Sequence, residues 1–141
     1  RYVTNNAVPT VSDCQFHDNS SSGIYVNSGS TPISGCRTVD NGLYGACLRY
    51  YSGTVANCVI TVNTSYGIYY SGAQTLNAED NWWGDPSGPY NPNSNPGGLG
   101  DTVSDNVDFD PWLIEALPVA EFEASPAVGD KPLDVQFTDL Y

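Results

Sequence analysis

The chain has no methionine, a single histidine and only four basic residues among 141. Contacts to nucleic-acid phosphates need lysine and arginine. Four of these against sixteen acidic residues, a net charge of −12, exclude a nucleic-acid binder. The same balance sets the chain against anionic membrane surfaces. No stretch approaches the roughly 18 apolar residues that a membrane-spanning helix needs, so nothing in it predicts insertion into a bilayer. No signal peptide is visible; a mature or truncated start accounts for that as readily as a cytosolic origin. His17 falls at an outward position and cannot build a histidine-based metal site alone. The length suits one sizeable domain plus a remnant. What abounds is Tyr, Asn, Ser, Thr and Gly, a composition typical of secreted β proteins.

The positive signal is a 22-residue period. Cys14, Cys36 and Cys58 share one column. Asn19, Asn41 and Asn63 share a second, and Gly23, Gly45 and Gly67 a third. Val11, Ile33 and Val55 keep the frame, as do Phe16, Thr38 and Ile60, and Ile24, Ala46 and Ile68. A fixed period of this size marks a solenoid, in which each repeat buries its apolar face only by stacking on the next.

Two solenoids fit the period. The first halves read V-x-x-C-x-F-x-x-N and its variants, as the strand half of a leucine-rich repeat would. The second halves favour the alternative. SSGIYVNSGS, LYGACLRYYSG and SYGIYYSGAQ are rich in Tyr, Ile and Val and carry no helical period. Two strands per repeat, parted by Gly and Asn turns, describe one rung of a parallel β-helix. Val11, Cys14, Phe16, Ile24 and Val26 then point inward, with their equivalents one rung on. The Asn column sits at a turn, where stacked amides satisfy one another. The Gly column follows it, where positive φ or close backbone approach is expected.

After the third repeat come TLNAEDNWWGDPSGPYNP and GLGDTVSDNVDFDPWL. These segments resemble the C-terminal end of right-handed parallel β-helix proteins of the pectate-lyase-like superfamily, common on bacterial and archaeal surfaces. There an Asn-Trp-Trp-Gly run ends the last rung, here Asn81, Trp82, Trp83 and Gly84. A Pro/Gly loop and an Asp-rich stretch lead on to Pro111, Trp112 and Leu113. The tail from Pro118 to Tyr141 resembles the opening of a PKD-type immunoglobulin-like domain, without its later strands. Residues 1–117 are therefore expected to form terminal rungs and a cap. Residues 118–141 are expected to form the first strands of an incomplete sandwich, with Val119–Ala124 and Leu133–Phe137 strand-like. The chain opens in mid-rung and reads as a piece of a longer protein. The fold expected is all-β: a right-handed parallel β-helix solenoid with 22-residue rungs, a C-terminal closing loop and a truncated β-sandwich tail.

Four cysteines in a secreted chain usually suggest disulfides. Three in one inward column cannot all pair, so Cys14, Cys36 and Cys58 read as a ladder of small hydrophobes, with Cys14 and Cys58 free. Cys47 stands where Tyr25 and Tyr69 face outward and is the expected exposed, reactive thiol.

Asp18 and Asp40 occupy equivalent positions on adjacent rungs. Their carboxylates could approach the roughly 5 Å spacing of a retaining glycosidase; a solvated turn pair is the plainer reading. A lyase would want a basic residue and usually Ca²⁺, and Arg37 and Arg49 are the rung-borne candidates. Gly-His-Gly and Arg-x-Lys, the motifs that polysaccharide-degrading relatives carry, are missing. Asp101, Asp105, Asp108 and Asp110 crowd a short stretch with Asp85 and are the calcium candidates, with turn capping as the alternative. Tyr25, Tyr50, Tyr51, Tyr66 and Tyr69 are expected to form an outward strip suited to stacking on sugar or on protein, although tyrosine is also an ordinary strand former. Asn19-Ser20-Ser21 and Asn63-Thr64-Ser65 match the glycosylation sequon, but both asparagines belong to the inward ladder and are expected to stay unmodified.

The reading reached from sequence is an extracellular or cell-surface β-helix with a structural, adhesive or glycan-binding role. Its expected partners are polysaccharide or other surface proteins, and self-association through unpaired strands. The alternative is a polysaccharide lyase or glycoside hydrolase whose catalytic rungs lie upstream.

Overall fold

The structure, a computed structural model, describes residues 9–118 and the two strands Phe122–Ser125 and Gln136–Asp139. Among the described residues there are strands and turns and no helix. Three short strands recur in each sequence repeat. β1 (Val11–Ser12), β4 (Ile33–Ser34) and β7 (Val55–Ala56) form one sheet. β2 (Gln15–His17), β5 (Arg37–Val39) and β8 (Val59–Thr61) form a second. β3 (Ser22–Val26), β6 (Tyr44–Leu48) and β9 (Tyr66–Tyr70) form a third. Every pairing in these sheets is parallel. Val11 pairs with Ile33 and Ile33 with Val55; Phe16 pairs with Thr38 and Thr38 with Ile60. Ile24 pairs with Ala46 and Ala46 with Ile68. The sequence columns are thus the lateral neighbours of the sheets.

The apolar columns meet in one core. Ile33, Val55, Leu48, Ile60 and Ile68 are each almost wholly buried. Burying one such side chain stabilises by about 1.5–3 kcal/mol. Val11, Phe16 and Val26 only pack partly against this core, and Cys14 is exposed. This departs from the expectation that they lie inside like their equivalents. A ladder residue is covered by its neighbours on both sides, and among the described residues the first repeat has such neighbours on one side only.

The glycine column marks close approach and not positive φ. A Cβ on Gly45 would stand 2.6 Å from the Gly67 carbonyl oxygen and 2.8 Å from Asn63 Nδ2. Left-handed backbone falls elsewhere, at the turns flanking β2, β5 and β8. Asp13, Gly35 and Asn57 share one such column, and Asp18, Asp40 and Val62 another. Asp and Asn tolerate this conformation; Val62, β-branched and 63% exposed, is an outlier there.

The segment that follows packs on the third repeat. β10 (Leu76–Asn77) runs parallel to β13 (Val107–Asp108), and β11 (Pro89–Tyr90) parallel to β12 (Gly100–Thr102). Single bridges from Val59 to Trp82 and from Ile68 to Val103 tie this layer to the third repeat. Trp83 is fully buried. Trp112 rests near Phe109, with ring centroids 6.0 Å apart, and its indole N–H donates to the Pro86 carbonyl at 3.0 Å. The Leu113 amide donates to the Asn81 carbonyl at 3.0 Å. The Asn-Trp-Trp-Gly and Pro-Trp-Leu runs therefore meet in space. β14 (Phe122–Ser125) and β15 (Gln136–Asp139) pair antiparallel, Phe122 opposite Asp139. Most of the expected strand Leu133–Phe137 lies outside the described residues.

Candidate functional site

Two features flank the turn that carries the asparagine column. On the β2–β5 face, Gln15, His17, Asp18, Arg37, Val39 and Asp40 line a shallow groove of about 310 Å³. Strand alternation turns Gln15, His17, Arg37 and Val39 outward together. His17 Nδ1 lies 2.7 Å from Asp18 Oδ2, both side chains well exposed. Arg37 has no carboxylate within ion-pair distance among the described residues. The groove thus gathers the two candidate acids, a candidate base and the sole histidine. Asp18 and Asp40 both adopt left-handed φ, 56° and 55°, as residues that make a turn.

On the β6–β9 face the tyrosines cluster. Tyr44 and Tyr69 stack at 5.2 Å and 17°, and Tyr66 meets Tyr69 edge-on at 5.5 Å. Tyr44 was missed in the sequence strip. Its column holds Ser22 in the first repeat and Tyr66 in the third, and that second tyrosine was the available signal. Tyr25 and Tyr50 are exposed, at 58% and 76%. Tyr51 is not part of the strip. It is 2% exposed, and its hydroxyl lies 2.6 Å from the Thr31 carbonyl and 3.0 Å from that of Thr54. Just beyond β6 the chain bends at Tyr50, which adopts a left-handed φ of 45°, and the bend leaves Tyr50 outside and Tyr51 inside.

Cys47 is likewise buried, at 2%, against the expectation of an exposed thiol. It sits in register between Tyr25 and Tyr69, outside the main core cluster. A short side chain in a column of long ones is overshadowed by them. All four cysteines are free. Cys14, not Cys47, is the exposed one. Burial pushes the Cys58 thiol up to about 12 and raises that of Cys36. The column ends at Asn81, whose Oδ1 accepts the Cys58 amide at 2.8 Å.

The asparagine column is a continuous ladder. Asn19 Nδ2 donates to Asn41 Oδ1 at 2.8 Å, and Asn41 Nδ2 to Asn63 Oδ1 at 2.9 Å. Asn63 Nδ2 then donates to Asp101 Oδ2 at 2.8 Å. Asn41 and Asn63 are buried; Asn19, in the first described repeat, is exposed, its amide still committed to Asn41.

Asp101 therefore ends the ladder. Burial pushes its carboxyl above the ordinary value, and the Asn63 donors pull against that. Asp105 accepts from Asn93 Nδ2 at 3.0 Å and Asn91 Nδ2 at 3.4 Å. Asp108 and Asp110 are exposed. Asp85 caps its own turn through the Ser87 amide and hydroxyl, and that hydroxyl holds its carboxyl low. The structure does not bring the calcium candidates together. Among the described residues no three His, Cys, Asp or Glu side chains converge on a metal-sized point. These aspartates belong to different strands and turns of the layer beyond the third repeat, Asp101 to β12 and Asp108 to β13.

The parallel sheets, their in-register columns and the single core define the architecture that a family comparison can test. The model of the right-handed β-helix region matches residues 2–84, more than half the chain. The chain belongs to that family. Searches of curated proteins and of solved structures found no match. The β-helix thus presents a polar groove on one face and a tyrosine cluster on the next, with the Asp40 turn between them.

Proposed function

We propose that this β-helix is a binding module of a secreted or cell-surface protein, and that its outer tyrosines hold a polysaccharide. The observation that supports this most is the grouping of Tyr44, Tyr66 and Tyr69 on one rigid face with Tyr25 exposed in the same register. Side chains fixed by their sheet lose little freedom when a flat ligand docks. Sixteen acidic against four basic residues repel a polyanion, so the fitting ligand is a neutral polysaccharide. Each 22-residue unit is read as one rung of the solenoid. Residues 1–117 are read as its terminal rungs and cap, and residues 118–141 as the start of a PKD-like sandwich. The pectate-lyase-like likeness of the closing segment belongs to the same reading.

Affinity electrophoresis through gels cast with neutral or uronic polysaccharides tests the proposal. Retardation by a neutral polysaccharide should weaken about tenfold on Tyr69→Ala, the equivalent of about 1.4 kcal/mol. Equal mobility in every gel would overturn it.

A second reading rests on the groove of His17, Asp18, Arg37 and Asp40. It makes the parent protein a polysaccharide lyase or glycoside hydrolase. Release of oligosaccharide by the longer protein, lost in Asp40→Asn, would favour it over simple binding.

A further inference from the structure

Asn41-Gly42 is the one Asn-Gly pair in the chain. This dipeptide is chemically labile, because glycine leaves its own amide nitrogen unhindered. That nitrogen can attack the asparagine Cγ. The Cγ–Nδ2 bond then breaks, ammonia leaves with the glycine amide proton, and a five-membered succinimide remains. Water opens the ring at either carbonyl, giving aspartate or isoaspartate.

The fold both creates and shields this weak point. A Cβ at position 42 would stand 2.5 Å from the Ser20 carbonyl oxygen, so packing between the first two repeats demands glycine. Asn19 and Asn63 are followed by Ser20 and Thr64 instead, whose side chains hinder the same attack. In the folded chain the Gly42 amide donates to the Asn19 carbonyl at 2.8 Å, away from the reacting carbon. The Asn41 side chain is pinned at both ends. Oδ1 accepts from Asn19, and Nδ2 lies 3.0 Å from the Phe16 carbonyl and 2.9 Å from Asn63 Oδ1. At 1% exposure it is also out of reach of water.

We propose that Asn41-Gly42 is a concealed deamidation site, which converts only when the first repeats open and then prevents their re-closure. A carboxylate at position 41 would put an acceptor where Nδ2 now meets the oxygens of Phe16, Val39 and Asn63. An isoaspartate would also lengthen the backbone by one carbon in the turn between β5 and β6, so that both strands could no longer keep register with their own sheets. The ladder thus turns a transient opening into a permanent loss of fold, an ageing clock set by local stability.

The chain is held in neutral buffer with and without denaturant, and Asn19, Asn41 and Asn63 are followed by peptide mass spectrometry. In denaturant Asn41 should convert faster than the other two. In native buffer it should convert at least about a hundredfold more slowly, the factor given by an opening free energy of about 2.8 kcal/mol. After a denaturant pulse, the fraction that fails to refold should equal the fraction converted. Asn19→Ala, which removes the shorter of the two bonds donated to Asn41 Oδ1, should speed conversion in native buffer. Equal native and denatured rates, or refolding of the converted chain to the same thermal midpoint, would overturn the proposal.

Discussion

Replacing Asn41 by leucine should unfold this protein more readily than the same change at Asn19. The Asn41 side chain takes part in five hydrogen bonds: two accepted from Asn19, and three donated to Phe16, Val39 and Asn63. Not all of these leave a buried group stranded. Asn19 is exposed, so water can serve its donors. Asn63 Oδ1 keeps the Asn41 backbone amide at 3.2 Å. The Phe16 carbonyl loses its amide, and Asn63 Oδ1 is left half-served. At about 1–3 kcal/mol per stranded buried group, that amounts to about 2–4 kcal/mol. A leucine methyl in place of Nδ2 would also meet the Phe16 carbonyl and Asn63 Oδ1 at 3.0 and 2.9 Å, inside van der Waals contact, and that overpacking adds about 1–3 kcal/mol. A loss of about 3–7 kcal/mol corresponds to a fall of about 10–25 °C in Tm for a domain of this size. Asn19→Leu, at the exposed end, should cost under about 1 kcal/mol. Asn63→Leu should be at least as damaging as Asn41→Leu, because it also removes a donor from Asp101. Thermal melts followed by circular dichroism measure the series. An unchanged Tm for Asn41→Leu, or equal shifts at 19 and 41, would refute the ladder as a source of stability.

The raised Asp101 carboxyl gives a pH signature. A carboxyl whose folded pKa lies above its unfolded value contributes stability that is full below about pH 4 and lost as pH rises through the folded pKa. Asp101→Asn should therefore raise Tm at pH 7 and leave it nearly unchanged at pH 3; the opposite pattern would mean the carboxylate is held by its donors more strongly than burial opposes it. In native buffer a thiol reagent should label about one cysteine per chain, Cys14, with Cys36, Cys47 and Cys58 reacting only on unfolding. Early labelling of Cys47, or two disulfides found by alkylation without reduction, would contradict the burial pattern. β14 and β15 pair only with each other among the described residues, and a two-stranded ribbon is marginal alone. Light scattering at micromolar concentration should therefore show association of the chain; a clean monomer would remove that expectation and leave the β-helix intact.

The sequence by itself determined the repeating part of this protein. Parallel in-register stacking places identical residues side by side, so the period alone predicts that Ile33 meets Val55, Ala46 meets Ile68 and Asn41 meets Asn63. The Asn-Trp-Trp-Gly and Pro-Trp-Leu runs, singled out in the sequence, are joined in the structure by the Leu113 amide on the Asn81 carbonyl. Only the tertiary structure decided what is not periodic. Cys47 is covered because its register neighbours are longer, and Tyr51 is buried because its hydroxyl finds the carbonyls of Thr31 and Thr54. Asp101 ends the asparagine ladder 38 positions after Asn63, although the period predicts a partner 22 away. His17, Asp18, Arg37 and Asp40 share a groove because adjacent strands bring their outer faces together. A column repeats because stacking imposes it at every step. Exposure and charge at the ends and on the outer faces depend on diagonal neighbours and on one irregular loop, which no period encodes.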